Sequence, residues 1–317
     1  MANPNTSFTE ITISTLFNRK GEIADNVSEN NALLTYLKKR GKITTLDGGT
    51  QIECPLDFTE NTTYLRFSGL DPLTVSQDDV LTNAAYSWVN AAVCVIASGE
   101  ELRKNSGEER LFRLIEARIN NAKRTAANNM SVDIYSTGAL ANQVGGLGAI
   151  ITSDGTGTVG GINSATYSNW ANQFSVVSAV SAGNIVGKMN TLWMSCVRGV
   201  DKPNLVVSSH DYYSFFWSSQ QELQRYSDAD MANTGFKTLK YTGVDALFDS
   251  NSNFSTTGKK MYMLNLNFLE FTMHEAAQWT VAEERIPTAQ DAVIIPILFM
   301  GNLVCSNRSL QGVMVDT

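Results

Sequence analysis

Histidine is nearly absent from this sequence: His210 and His274 are the only two, 64 positions apart, and neither has a ligating residue at i+3 or i+4. The paired spacing of a helical metal site is therefore missing. Cysteine is sparse too. Cys54, Cys94, Cys196 and Cys305 form no C-x-x-C pair, which removes zinc ribbons and dithiol redox chemistry and leaves buried, reduced thiols as the expectation. Cations are outnumbered, with 24 Lys and Arg against 31 Asp and Glu and a formal charge of −7. A surface built to grip phosphates needs the opposite balance. No apolar run approaches the ~20 residues of a membrane helix, and the opening MANPNTSFTEITIS has neither the basic flank nor the apolar stretch of a secretory signal. The expectation is a protein that stays where it is made, with no membrane contact.

The patterns G-x-x-x-x-G-K-S/T, G-x-S-x-G and H-E-x-x-H do not occur. GTGTVGG (155–161) has the glycine spacing of a dinucleotide-binding turn, but that turn works only when a strand leads in and a helix opens directly on the pyrophosphate. Here the candidate strand, Leu147–Ile151, breaks at Thr152-Ser153-Asp154, and the next helix signal, at Asn163 or Ser164, comes too late. No Asp or Glu stands between Gly155 and Val200 to hold a ribose. The stretch reads as a loop between two elements. Ser209-His210-Asp211 invites a triad reading, yet adjacent side chains point in different directions and cannot relay a proton in line. A helix start at Ser209 or Asp211 explains them. The pairs Asp78-Asp79, Glu100-Glu101, Glu108-Glu109 and Glu283-Glu284 suit first helical turns or solvated faces. No catalytic, cofactor-binding or metal-binding residue is assigned, and the chain is expected to be neither an enzyme nor a cofactor carrier.

What is present is enough apolar residue, 43% of 317, for a packed core, arranged in a definite order. Residues 1–26 are Asn-, Thr- and Ser-rich without a sustained period and read as an arm. Val27–Arg40 reads as an amphipathic helix, with Ala32, Leu33, Tyr36 and Leu37 on one face and Lys38-Lys39-Arg40 at its negative end before Gly41. Asp47-Gly48-Gly49 marks a turn. Two extended runs, Gln51–Phe58 and Tyr64–Phe67, flank the polar stretch Thr59–Thr63 and predict a long hairpin with little core of its own. Ser98…Glu101 and Ser106…Glu109 are capping boxes. After them Leu111, Leu114, Ile115, Ile119, Ala122, Ala126 and Met130 recur at helical spacing, a spine helix that ends before Asp133. A Gly-, Ser- and Thr-rich section, 136–257, mixes helices and strands in an α+β pattern. Within it a helix carries Ile185, Met189, Leu192, Trp193 and Cys196 on one face, Asn204–Ser208 is a short strand, Tyr212–Tyr226 is helical and Phe236–Phe248 is extended. Met261–Phe271 and Asp291–Val304 return to strand.

The stretches GEIADNVSENNALL (21–34), GKITTLDGGTQIECPL (41–56), ENTTYLRFSG (60–69), NSGEERLFRLIEARINNAKRTAANNMSVDIYS (105–136), GTVGGINSATYSNWANQ (157–173) and GNLVCSNRSLQGV (301–313) resemble the major capsid proteins of tailed bacteriophages, which share the HK-ninety-seven fold. The resemblance implies an N-terminal arm (1–26), a short helix and connection (27–47), an extended hairpin loop (48–76), a peripheral domain with the spine helix (77–137), an axial domain (138–257) and returning peripheral strands (258–317). It implies hexamers and pentamers of an icosahedral shell around packaged double-stranded DNA held non-specifically, in the virion after assembly in the bacterial cytoplasm. A portal protein and separate scaffolding or decoration proteins are the implied partners. The arm and loop would lie on neighbouring subunits, and Glu60, Asn61 and Arg66 are the candidates for inter-subunit contact. The lysine through which some relatives chain subunits covalently has no counterpart, since Ile43–Leu102 contains none. An encapsulin-like compartment shell and a nucleotide-dependent enzyme are the alternatives, the latter resting on GTGTVGG alone.

Overall fold

The structure, a computed structural model, describes residues 31–73, 80–104, 108–224, 239–249, 259–288 and 290–316, with backbone alone at Leu102, Lys104, 108–115 and 221–224. The arm (1–26), the second capping-box serine Ser106 and the side chains of Leu111, Leu114 and Ile115 lie outside the described residues.

Helix α1 (Ala32–Lys39) opens at Asn31, whose side-chain oxygen accepts from the N–H groups of Leu33 (2.9 Å) and Leu34 (3.2 Å). It closes in a Schellman turn: Lys42 N–H reaches the Leu37 carbonyl (2.8 Å) and Gly41 sits at φ +64°. Leu33, Leu34 and Leu37 form the buried stripe, so Leu34 takes the place expected of Tyr36, which is only half-buried.

Strands β1 (Ile43–Leu46), β2 (Ile52–Asp57), β3 (Leu81–Tyr86) and β4 (Val89–Ser98) follow. Ser98 and Glu101 then cap helix α2 (Gly99–Lys104) reciprocally, each backbone N–H donating to the other's side chain at 3.3 Å. The spine helix α3 runs Glu108–Asp133. Ile119, Ala122, Ala126 and Met130 are buried along it, at the expected spacing. The long strands β12 (Leu269–Val281) and β13 (Ala292–Cys305) join β1 and β4 in a four-stranded sheet of order β1-β12-β13-β4. The odd positions of β13, Ile295, Ile297 and Phe299, enter the same core as the spine's stripe.

Strands of the 138–257 section, together with two from 258–317, build a second sheet. Its order is β7 (Gln173–Val177), β14 (Gly312–Asp316), β11 (Lys260–Leu264), β8 (Leu205–Ser208), β10 (Val244–Phe248) and β9 (Leu239–Tyr241). Both faces are covered, so β8 is buried at every position. Val206, Met261, Met263 and Met314 face a core shared with helices α5 (Ile185–Cys196) and α6 (His210–Gln224), while Val207, Tyr262 and Val313 join the main core.

Three expectations are corrected. Leu147–Ile150 is one helical turn, α4, and not a strand: Ala149 N–H donates to the Gly146 carbonyl, and no strand pairs with the run. No helix opens at Asn163 or Ser164; a 3-10 turn at Ser168–Trp170 comes next. The strand opposite β2 is β3, in antiparallel register from Ile52↔Tyr86 to Asp57↔Leu81, and not Tyr64–Phe67, which has no strand partner.

Candidate functional site

The β2-β3 ribbon roots the segment between Phe58 and Val80, which is described over 58–73 and is irregular there. Ile52, Leu56, Ala84 and Tyr86 are buried in the main core, and the Tyr86 hydroxyl donates to the Cys305 carbonyl at 2.8 Å. Burial drives that phenol's pKa far above its ordinary value. The ribbon therefore belongs to its own protomer's core, contrary to the expectation that it would add little.

At the root, Phe58 N–H bonds the Val80 carbonyl (2.8 Å) and closes the ribbon. The Phe58 ring lies edge-on to Tyr167 (5.2 Å) and tilted to Trp170 (6.3 Å), and its carbonyl accepts from Asn169 Nδ2 at 2.8 Å. Those partners come from the stretch after GTGTVGG, whose local structure is now clear. Strands β5 (Thr158–Val159) and β6 (Ile162–Asn163) pair across Gly160 (φ +59°) and Gly161 (φ +79°), both left-handed, as a tight two-residue turn demands. A Cβ at Gly160 would lie 2.9 Å from that of Ala84, and the Gly160 carbonyl accepts from Ala85 N–H at 3.0 Å. The glycines make a buttress for the ribbon.

A cavity of about 700 Å³ opens at this root, lined by Asp57, Phe58, Glu60, Asn61, Asn169 and Arg198 among others. Two of the three sequence candidates, Glu60 and Asn61, meet here; Arg66 is exposed elsewhere on the loop. Asn61 turns inward on its own segment, where its Oδ1 accepts from Thr63 N–H (2.8 Å) and from the Thr63 hydroxyl. Arg198 was not legible as a member, because it arrives from the end of α5 with no local motif to mark it. No ion pair joins it to Asp57 or Glu60 among the described residues. Beyond the cavity, Tyr64, Phe67, Leu70 and Leu73 are each 60% or more exposed. Four large apolar side chains on one loop exceed the scattered singles of an ordinary surface.

Arg308 was missed as well. It is fully buried, with Nε donating to the Ile150 carbonyl (2.6 Å) and Nη2 to Thr152 Oγ1 (2.8 Å) and the Thr156 carbonyl (2.9 Å). It thereby ties the turn between β13 and β14 to the segment that leads into the glycines. Burial lowers its pKa, and Cys305, Tyr86 and Asp154 oppose that shift.

The other sequence candidates stay apart. His210 Nδ1 and Asp211 Oδ1 are 3.8 Å apart on the exposed start of α6, and the buried Ser209 hydroxyl makes no hydrogen bond. Ser209 holds the helix start through its carbonyl, which accepts from Tyr213 N–H at 3.0 Å. Among the described residues no three His, Cys, Asp or Glu side chains cluster as metal ligands, and no helix is long and apolar enough to cross a membrane.

No family model and no curated protein matches the chain. Solved structures do. The capsid asymmetric unit of cyanophage A-1(L) superposes with a TM-score of 0.60 at 14% identity, covering 87% of this chain and 90% of that one. The chain has the tailed-phage capsid fold. A structure from Mycobacterium phage Bobi gives 0.54 at 9% identity over 88% and 89% of the two chains, and the capsid of Myoviridae phage XM1 gives 0.51 at 13% over 89% and 92%. Within the capsid fold, of HK-ninety-seven type, the ribbon is anchored in the protomer's core, while Tyr64, Phe67, Leu70 and Leu73 on the loop it carries stay uncovered by the described residues.

Proposed function

We propose that this chain is a major capsid protein, self-assembling through hexamers and pentamers into the icosahedral shell of a tailed bacteriophage around double-stranded DNA. The observation that carries the reading is the correspondence with the cyanophage capsid chain over nine-tenths of that chain's length. The exposed loop supports it, since four large apolar side chains that the described residues leave uncovered would gain burial against a neighbouring copy. In this reading 77–137 and 258–317 form the peripheral domain and 138–257 the axial domain, with β11 and β14 of the former contributed to the axial sheet. The arm and loop lie on neighbouring copies, and Glu60, Asn61 and Arg66 flank the apolar contact as polar rim. A portal protein, and scaffolding or decoration proteins, are its partners in the virion, with no enzymatic role for the chain itself.

The test replaces residues 59–79 by Asn-Gly, which keeps the Phe58–Val80 closing pair and the buried ribbon. We expect a folded protomer with near-normal circular dichroism that no longer forms closed particles in electron microscopy, whereas the unaltered chain does. Normal particles from the shortened loop would sink the loop's role, and no particles from the unaltered chain under any assembly condition would sink the capsid reading. Particle contents, genome or cargo protein, separate this reading from a compartment shell.

A further inference from the structure

The cavity at the root of the loop has walls from distant parts of the chain. One is the end of β2 with the start of the loop, Asp57 to Asn61; the other is Asn169 and Arg198 from the 138–257 section. Phe58 lies between them, edge-on to Tyr167, whose side is about half exposed (48%). A smaller cavity of about 100 Å³ shares Asp57, Phe58, Asn169 and Arg198 and carries the space on to Trp170 and Asn307. The two make one groove, and the larger part, about 700 Å³, is of the size that encloses several side chains.

Three charged side chains line it. Asp57, Glu60 and Arg198 are exposed, and among the described residues none has an ion-pair or hydrogen-bond partner for its side chain. Hydrated as they are, they need no partner; what they fix is the sign of the field. One guanidinium offsets one of the two carboxylates, and a negative excess remains. A groove with that excess and an aromatic floor accepts a cation set among aromatic residues. The chain itself presents this chemistry. Along 58–73 Arg66 is the one cation, exposed and without a partner among the described residues, and Tyr64 and Phe67 beside it are 80% and 60% exposed. Asp71, further along the same loop, is already engaged, accepting from Ser68 N–H at 2.9 Å.

We propose that the groove receives the Tyr64–Phe67 segment of a second copy, with that copy's Arg66 seated between Asp57 and Glu60 and its flanking rings against Phe58 and Tyr167. The inference rests on the capsid reading and gives the loop a specific seat. Projection and groove lie at different places on one chain, so the contact runs head to tail, the arrangement that closes into rings. The ion pair sets the register, while the apolar side chains supply most of the energy.

The experiment exchanges charges between copies of the full chain. Arg66→Glu reverses the segment and Glu60→Arg reverses the excess in the groove, with Asp57→Arg in its place should that variant lose its native circular dichroism. Association is followed by sedimentation at low salt. Each variant alone is expected to associate at least about tenfold more weakly than the unaltered chain, since like charges then face each other, and an equimolar mixture to recover to within about threefold, since each loop then finds a groove of opposite sign. Unweakened association of either variant alone overturns the proposal. So does a mixture no stronger than its components, the result expected if Arg66 folds back into the groove of its own copy. Either result leaves the capsid reading standing as long as the unaltered chain forms particles and the chain with the shortened loop does not.

Discussion

Arg308 shows how one residue holds a junction. Its three hydrogen bonds reach two backbone carbonyls and a hydroxyl in the 150–156 segment, all far in sequence, so Arg308→Met leaves buried acceptors without donors. Such a loss costs about 2–3 kcal/mol, and urea unfolding should show it as a lowered midpoint with an unchanged slope. An unaltered midpoint would mean that water replaces the guanidinium freely. The thiols differ by the same logic of burial. Burial pushes Cys196 and Cys305 up to about 12 and Cys54 up to about 11, the latter with Glu270 adding to the shift, while Cys94 is exposed on β4. The thiolate is the reactive form. At pH 8 a thiol reagent should label Cys94 first, Cys54 slowly, and Cys196 and Cys305 only on unfolding; mass spectrometry of the labelled peptides reads the order directly.

At the scale of the element, the spine helix couples the two ends of the chain. Its stripe packs in one core with β13, some 170 positions later, so the helix gains its stability from tertiary burial more than from its own propensity. Ile119 is fully buried there. Ile119→Asp places a carboxylate in the main core where the helix packs against β4 and should cost at least about 3 kcal/mol, giving insoluble or unfolded protein on expression. Soluble Ile119→Asp chain with native circular dichroism would show that the helix can rotate its stripe away. The ribbon follows the opposite rule. Its strands are short and a two-stranded pair is marginal alone, but Tyr86, Phe58 and the glycine turn fix it to the body from three sides.

At the scale of the whole molecule, the proposed capsid assembly assigns the contact between copies to the exposed loop. Polar contacts through Glu60 and Arg66 would weaken with salt, each exposed pair contributing about 0–1 kcal/mol. Apolar contacts through Tyr64, Phe67, Leu70 and Leu73 do not weaken with salt, and four such side chains bury enough area to dominate. Association of copies should therefore persist from low to molar salt in light scattering, and fall when Phe67 and Leu70 are both replaced by Ser. Dissociation by salt alone would return the contact to the charged residues.

What the sequence determined by itself was local and periodic. The five residues expected on one face of α5, Ile185, Met189, Leu192, Trp193 and Cys196, are its five buried residues, and the Ser98…Glu101 box caps as its spacing requires. Period and capping chemistry depend on neighbours within a turn or two, so they survive in one dimension. Pairing does not. The residues of β2 state which side is apolar, yet β3 and Tyr64–Phe67 are both compatible extended partners; the choice falls to Tyr86 and Ala84, which reach the Cys305 carbonyl and the Gly160 turn only once the chain has folded. Arg198 beside Glu60 and Arg308 beneath the glycines are likewise decided by tertiary structure, because burial and neighbours belong to the space around a side chain and not to its position in the chain.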